Sequence, residues 1–336
     1  NLIELRKTAA RNFSWGLALV GFALIGIVPF ANHITRDVNL VTEGAERIAQ
    51  GDLMTRLPVK SKNEIGQLAS AFNRMAEDLS VHQQKLVEQE RFAAEYARKT
   101  VELEDARRFQ LSMLPKEVPR HPRYDVAAYS VTATEVGGDY YDFHVAADQS
   151  MAVTIGDATG HGAKAGTMVT VIKTLFAGYQ PSIAPSLFLG DAAEKIKRME
   201  LGRMAMALSL ARFANAGMTI ASAGMPPVLV HRAATGEVEE VAIAATPLGT
   251  LGVAYEQREV ALASGDTVLL QTDGFPELQN EAGQQLGYVV ALEEFAAAAT
   301  KGSADDVIAA LADTARAWHG EQPPNDDITF VVVRMV

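Results

Sequence analysis

Residues 135–162 read EVGGDYYDFHVAADQSMAVTIGDATGHG, and this stretch decides the fold of the C-terminal part of the chain. Its segments 140–146 and 151–156 have the composition of two strands, and a short polar turn joins them. In an antiparallel hairpin of this length, the residues just before the first strand and just after the second face each other. Asp139 and Asp157 are therefore predicted to lie side by side at the open end of one hairpin.

A second pair of acidic residues is predicted further along the chain. Asp273 follows the apolar strand that begins at Val268, and Asp326 and Asp327 come immediately before the last strand. If these two strands pair antiparallel, Asp273 joins Asp326 or Asp327 at one rim. Carboxylates this close repel each other unless positive charge lies between them, and a divalent cation is the usual solution.

Each of these acidic motifs is common when it stands alone. An Asp-Gly pair at a strand end is usually a turn, a Gly-Gly-Asp run is usually a turn as well, and Asn-Asp-Asp is usually a solvated loop. The segment Gly160-His161-Gly162 is more unusual, because its glycines let the backbone approach a ligand closely. The order of all the motifs in one chain is what favours a functional site.

In that order the motifs resemble the metal-dependent protein serine/threonine phosphatases, in the SpoIIE-like, RsbU-like bacterial branch. The resemblance covers residues 107–336. Besides the two hairpin motifs, the matching stretches are QLSMLP, ASAGMPPVLV, TPLGTLG, LLQTDGFPELQNEAGQQLG and NDDITFVVV.

The resemblance implies an α+β fold for residues 119–336, a PPM-type α-β-β-α sandwich of two antiparallel sheets flanked by helices. It also implies two Mn²⁺ or Mg²⁺ ions at one end of the sandwich. Carried over by position, the metal ligands are Asp139, Asp157, the backbone carbonyl of Ala158, Asp273 and Asp326. Asp327 is the less favoured of the last two acids. Asp139 and Asp157 are also the expected catalytic residues.

The implied chemistry is hydrolysis of phosphoserine or phosphothreonine by a water molecule that two divalent ions activate, without a covalent enzyme intermediate. Oxygen ligands suit Mn²⁺ and Mg²⁺, and a chain without cysteine cannot use a thiol nucleophile. His161 is a candidate general acid for the leaving group, and its alternative role is to pack or cap the glycine-rich turn. Met225 stands where relatives often have His, which leaves the role of that position open.

Residues 13–32 are predicted to form a transmembrane helix. The run Phe13–Ala31 contains 19 residues without a charge, and Trp15 and Phe30 lie near its two ends. The alternatives are a buried core helix and a signal peptide, but no small-residue cleavage site is clear. Because the chain starts at Asn1 rather than Met, we expect residues 1–12 to be the end of an upstream region.

Residues 33–82 resemble a HAMP domain, which forms a parallel four-helix bundle in a homodimer. The matching pieces are IAQGDL, NEIGQL and AFNRMAEDL, while Asp37 replaces the usual proline after the membrane helix. Residues 83–118 continue the apolar stripe at heptad spacing and predict a coiled-coil signalling linker, which ends at Pro115 and Pro119. The chain is therefore expected to be a homodimer through its HAMP domain and coiled coil.

The net negative charge of the chain lies entirely in its C-terminal part. Residues 1–119 hold 16 basic and 15 acidic side chains, whereas residues 120–336 hold 14 basic and 26 acidic ones. This balance argues against a nucleic-acid partner. The resemblance implies a signal-regulated phosphatase of the bacterial inner membrane, with its catalytic domain in the cytoplasm. By the same resemblance, its substrate is a phosphorylated, STAS-type anti-anti-sigma protein.

Three other functions have to be weighed against a phosphatase. A catalytically inactive pseudophosphatase would act as a binding module, but it would tolerate loss of the ligand acids, and all four are present. A diguanylate cyclase is favoured only by Gly137-Gly138-Asp139-Tyr140, where its signature has Glu in place of Tyr. A histidine kinase would also follow a HAMP domain, but the sequence has no ATP-binding Asn and Gly boxes.

Overall fold

The computed structural model of the protein describes residues 2–58, 63–134, 136–160, 162–250 and 254–336. These residues form two compact units, Asn1–Arg98 and Lys99–Val336. The first unit is helical, and the second contains all ten strands among the described residues.

The N-terminal unit begins with one long helix, α1 (Leu2–Ala49). Its segment Arg6–Ala49 is long and apolar enough to cross a membrane by length and composition, with a mean hydropathy of 2.0 in its most apolar window. Pro29 lies inside α1, and the helix continues beyond it for another 20 residues. The missing N–H of a proline removes one helical hydrogen bond, and the turns on both sides remain intact.

A second long helix, α2 (Glu64–Leu111), starts in this unit and packs against the end of α1. The connection between the helices is fixed by Asn73, whose side chain accepts a hydrogen bond from the N–H of Leu57 (2.7 Å) and donates to its carbonyl (2.9 Å). Leu57 is buried with Val41 and Ala69. This helix–connector–helix arrangement is the one that the HAMP resemblance predicts.

The C-terminal unit is a sandwich of two five-stranded antiparallel sheets. The first sheet has the order β1–β10–β9–β6–β7, with β1 Tyr124–Val131, β6 Val228–His231, β7 Val238–Val241, β9 Thr267–Gln271 and β10 Ile328–Met335. The second sheet has the order β2–β3–β4–β5–β8, with β2 Asp139–Val145, β3 Met151–Ala158, β4 Met206–Ala214, β5 Gly217–Ala223 and β8 Gln257–Ala261.

Helices cover the outer face of each sheet, which gives the predicted α-β-β-α layers. On the second sheet pack α3 (Ala163–Ala177) and α4 (Pro185–Arg198), and on the first sheet pack α5 (Tyr288–Ala299) and α6 (Ala304–His319). The inner faces of both sheets bury a common apolar core that includes Ile155 and Val331.

The strand pairing brings the predicted acidic residues to one end of each sheet. In the β2–β3 hairpin, Asp139 lies directly opposite Asp157. In the other sheet, β9 and β10 pair antiparallel with Phe330 opposite Gln271, so Asp273 follows the strand end at which β10 begins. Both predicted rims are confirmed, and they belong to different sheets of the same sandwich.

Asp142 fastens the β2 strand to helix α3. Its carboxylate accepts hydrogen bonds from the Lys173 ammonium (2.7 Å), the Tyr140 hydroxyl (2.8 Å) and the Phe143 N–H (2.9 Å), and the side chain is buried. Three donors on one buried carboxylate make a rigid joint directly behind the acidic rim.

Replacing Asp142 by Ala leaves the buried hydroxyl of Tyr140 and the ammonium of Lys173 without their acceptor. We expect Asp142→Ala to lower the free energy of unfolding of the C-terminal unit by about 2 kcal/mol. Urea unfolding, followed by tryptophan fluorescence and circular dichroism in detergent, measures the change. The control is Asp191→Ala, which removes an exposed ion pair with Lys195 on α4 and should change stability little. Equal stabilities of the two variants would contradict the assigned role of Asp142.

Candidate metal centre

The first half of the candidate site lies on the β2–β3 hairpin. Asp139 is buried, and its Oδ2 accepts a hydrogen bond from the hydroxyl of Thr272 (2.9 Å), a residue of the opposite sheet's rim. Asp157 lies beside it at the end of β3. Two adjacent carboxylates therefore face the space between the two sheets.

The backbone carbonyl of Ala158 lies at the same place. A Cβ atom on Gly138 would come within 2.6 Å of this carbonyl oxygen and 2.7 Å of Asp157 Oδ1. The N–H of Ala158 also donates to the carbonyl of Gly138 (3.0 Å). Only glycine permits this close approach, so the Gly138 backbone holds two of the predicted oxygen ligands in one small space.

The second half of the site comes from the other sheet. Asp273 opens a turn after β9, in which the N–H of Glu277 donates to its carbonyl (2.9 Å). Asp326 lies two residues before β10, and its Oδ1 accepts a hydrogen bond from the N–H of Asp327 (2.8 Å). The hydrogen bond from Thr272, the residue before Asp273, to Asp139 brings the two halves together, and, besides burial, the charges of Asp273 and Asp326 raise the pKa of Asp157.

Burial and mutual repulsion make these carboxylates unusually weak acids. Burial, with the nearby Asp157 charge, raises the pKa of Asp139 well above its ordinary value. Burial and the charges of Asp273 and Asp326 raise the pKa of Asp157 to about 7. Burial also raises the pKa values of Asp273 and Asp326. Among the described residues, no Lys or Arg forms an ion pair with any of the four.

The donor set fits a hard divalent cation. Carboxylate and carbonyl oxygens are the ligands that Mg²⁺ and Mn²⁺ prefer. A cation would also supply the positive charge that no Lys or Arg among the described residues provides to these acids. Within the described ranges, no three acidic or histidine side chains converge closely enough to hold an ion alone. Ions at this rim would therefore also use backbone carbonyl oxygen and water, which leaves open positions for a reacting group.

Two positions that the sequence singled out do not add a described side chain to this site. His161 lies outside the described residues, although its neighbours Gly160 and Gly162 have φ values of 82° and 79° that glycine adopts readily. Met225, at the position where relatives often have His, is buried in the apolar core between the sheets. Its role is packing.

Of two further residues at the rim, Thr272 was not predicted from the sequence, and Asp327 was predicted only as the less favoured ligand. The hydroxyl of Thr272 donates to Asp139 and accepts a hydrogen bond from the N–H of Thr329 (3.0 Å). The side chain of Asp327, set aside as a ligand, accepts hydrogen bonds from the N–H groups of Ala133 (2.7 Å) and Gly138 (2.6 Å). In the sequence, the only indication of their importance is that Thr272 lies next to Asp273 and Asp327 next to Asp326.

Comparison with known proteins agrees with this architecture. The family described as Stage II sporulation protein E (SpoIIE) matches residues 147–336, which is more than half of the chain, and the HAMP domain family matches residues 30–80. The chain belongs to the SpoIIE family. It combines a HAMP domain with a PP2C-type phosphatase domain of the RsbU-like kind, as the motifs predicted. The C-terminal domain is therefore a phosphatase domain rather than a diguanylate cyclase or histidine kinase domain.

Individual members of the family show how far the similarity extends. Phosphoserine phosphatase RsbU of Bacillus subtilis is 28% identical over 189 residues, which cover 54% of this chain and 55% of RsbU. The chain spans about half the length, or less, of the first curated relatives it matches.

Two solved structures share the fold of this SpoIIE-family chain. The SiaA-PP2C domain of Pseudomonas aeruginosa superposes with a TM-score of 0.63 at 23% identity and covers 71% of this chain and 99% of the SiaA domain. RsbX in complex with magnesium superposes with a TM-score of 0.52 at 16% identity, covering 66% of this chain and 99% of RsbX. Both confirm the predicted sandwich fold.

The raised pKa of Asp157 predicts an unusual pH dependence in metal-free protein. Its pKa is 3.8 in an unfolded chain and about 7 in the folded one, so the folded state holds more protons between these values. Stability therefore falls as pH rises through this window. We expect the unfolding temperature in EDTA to fall between pH 5 and 8, and Asp157→Asn to flatten the slope. Mn²⁺ should raise the unfolding temperature most at pH 8.

The control for this measurement is Asp191→Asn, at an exposed position on α4, which should keep the slope of the original protein. A slope that Asp157→Asn leaves unchanged would show that this carboxylate does not carry the effect.

Proposed function

We propose that this chain is a membrane-bound, signal-regulated protein serine/threonine phosphatase that uses two Mn²⁺ or Mg²⁺ ions. The observation that carries the proposal is the meeting of two acidic pairs, one from each sheet, at a shared rim, where hydrogen bonds from Thr272 to Asp139 and from Gly138 to Asp327 join the sheets. Besides burial, the charges of Asp273 and Asp326 on the other sheet raise the pKa of Asp157. Divalent cations supply the positive charge that this arrangement requires.

The ligands in this proposal are Asp139, Asp157, the carbonyl of Ala158, Asp273 and Asp326. When bound, two such ions supply an activated water and neutralise the oxygens of a phosphate group. The chain itself contributes orientation, because the Thr272 hydroxyl holds the carboxylate of Asp139 and Gly138 sets the approach of Ala158 to Asp157. RsbX, which shares this fold, is described in complex with magnesium, and this supports the choice of a hard divalent ion.

The proposed substrate is a phosphorylated STAS-type anti-anti-sigma protein. The support is the likeness to RsbU, which is named as a phosphoserine phosphatase. A folded protein substrate also agrees with a site at the edge of the sandwich, where a phosphorylated loop reaches the carboxylates without unfolding.

The proposed assembly is a homodimer at the bacterial inner membrane, with the phosphatase domain in the cytoplasm. The long apolar helix α1 and the HAMP domain support membrane attachment. Leu86 and Phe92, on α2, are 48% and 63% exposed in the single chain. A second copy of α2 in a parallel coiled coil would cover part of this apolar surface.

Phosphate release from a phosphorylated STAS-type protein tests this function directly. We expect the detergent-solubilised chain to release phosphate only with Mn²⁺ or Mg²⁺, and Asp157→Asn to lower kcat/KM by about 10³-fold, because several kcal/mol of metal catalysis is lost. The control Asp191→Asn should keep the original rate. If neither the original protein nor Asp157→Asn releases phosphate with Mn²⁺ or Mg²⁺, the chain is a catalytically inactive pseudophosphatase instead.

Control of this activity is proposed to pass from the coiled coil through the QLSMLP segment to the metal centre. Gln110, at the C-terminal end of α2, is buried, and its Nε2 donates a hydrogen bond to the carbonyl of Gly137 (2.6 Å). Gly137 precedes Gly138 and Asp139 in the chain. A rotation or shift at the end of α2 would therefore move the backbone that carries a ligand of the centre.

If the signal takes this route, Gln110→Ala should change the phosphatase rate, because the end of α2 then no longer holds the backbone of Gly137. We expect the phosphatase rate to change at least about fivefold with little change in unfolding temperature, because one hydrogen bond contributes only about 1 kcal/mol. Arg107→Ala, at an exposed position one turn earlier, is the control. If both variants keep the original rate, the contact with Gly137 does not transmit the signal.

A further inference from the structure

We infer that Asp327 is a positioning residue that joins the two sheets and places the Gly138–Asp139 backbone at the metal centre. This inference rests on the proposed ligand set, in which its neighbour Asp326 is the ligand and Asp327 is not. The two acids are adjacent in sequence, but the structure gives their side chains different surroundings.

Both oxygens of Asp327 are occupied by backbone donors from the distant segment 133–139. Oδ1 accepts from the N–H of Ala133 (2.7 Å), and Oδ2 accepts from the N–H groups of Gly138 (2.6 Å) and Asp139 (3.3 Å). Asp327 directly precedes β10 of the first sheet, whereas Asp139 begins β2 of the second. One buried side chain therefore bridges the sheets at the point where the carboxylates meet.

Asp326 is arranged differently. Its Oδ1 accepts one hydrogen bond, from the N–H of Asp327, and among the described residues no partner contacts its Oδ2. A carboxylate with a free oxygen can bind a cation, whereas the carboxylate of Asp327 already accepts hydrogen bonds from three backbone N–H groups. The pair thus divides two tasks between neighbouring residues.

Two glycines of the rim motifs make room for Asp327. A Cβ on Gly137 would lie 2.2 Å from Asp327 Oδ2, and a Cβ on Gly274 would lie 1.9 Å from the Asp327 backbone carbonyl oxygen. Neither glycine has a positive φ that would itself require glycine. Close packing around Asp327 is therefore a sufficient reason for glycine at both positions.

A second hydrogen-bonded connection supports the same placement. The Thr329 N–H donates to the Thr272 hydroxyl, which donates to Asp139 Oδ2. Asp327 therefore holds the backbone of Asp139 while Thr272 holds its side chain, and both anchors come from the opposite sheet. Loss of Asp327 should release the segment 133–139 and leave the predicted ligands of the first sheet in place.

The chain contains a matched control at the opposite end of β9. Asp266 is also buried and accepts hydrogen bonds from two loop N–H groups, those of Ala233 (2.9 Å) and Ala263 (3.0 Å), together with Arg232. Asp266 therefore also connects two loops, but it precedes β9, whereas the acidic rim follows the other end of this strand at Gln271. Asp266→Ala therefore reports the general cost of removing a buried, loop-bracing aspartate.

The test measures hydrogen exchange of the metal-free chain and Mn²⁺ binding by calorimetry, both in detergent. Asp327→Ala should speed amide exchange in residues 133–139 at least tenfold and weaken Mn²⁺ binding at least tenfold. Asp266→Ala should lower stability but leave Mn²⁺ affinity unchanged. Gly137→Ala should reproduce the effects of Asp327→Ala. The double variant should be no worse than Asp327→Ala alone, because the new methyl group then occupies the space of Oδ2 and its one remaining close neighbour is the methyl group of Thr132, at 2.9 Å.

The possible results separate the alternatives. If Asp327→Ala removes one bound Mn²⁺ without changing exchange in the metal-free chain, Asp327 is a ligand and the inference is wrong. Unchanged exchange together with unchanged affinity also overturns it. If the original protein binds no Mn²⁺, the proposed function fails, while faster exchange in Asp327→Ala and not in Asp266→Ala would still establish the positioning role.

Discussion

The repulsion between carboxylates that are gathered at one rim of the sandwich is the constraint on which the rest of this structure depends. Asp139 and Asp157 lie opposite each other on one hairpin, and Asp273 and Asp326 act on Asp157 from the other sheet. No basic side chain among the described residues pairs with them. Such an arrangement is stable only if protons or cations neutralise it, so the fold must hold these groups against their own repulsion.

The sandwich holds them by backbone contacts rather than by opposite charges. Gly138 packs against Asp157 and the Ala158 carbonyl. Asp327 accepts hydrogen bonds from three N–H groups of the segment 133–139, and the Thr272 hydroxyl donates one to Asp139. Behind the rim, Asp142 fastens the hairpin to helix α3. These anchors keep the acidic oxygens oriented toward the gap between the sheets, where a cation gains most from them.

The same anchors explain how a signalling helix could reach the chemistry. Gln110 and Asp327 contact the same peptide group of the segment 133–139, the first through the carbonyl of Gly137 and the second through the N–H of Gly138. The segment is therefore held by the end of α2 on one side and by β10 on the other. A change at the end of α2 acts on a backbone whose position also sets the site of Asp139.

The sequence by itself determined the features that depend on local pattern. Strand composition and turn length put Asp139 opposite Asp157, antiparallel pairing put Asp273 and Asp326 at one rim, and the apolar run before the HAMP motifs predicted the long helix α1. Only the tertiary structure decided the roles of Thr272 and Asp327, because their partners lie about 130 and 190 residues away and the register between sheets has no local signature.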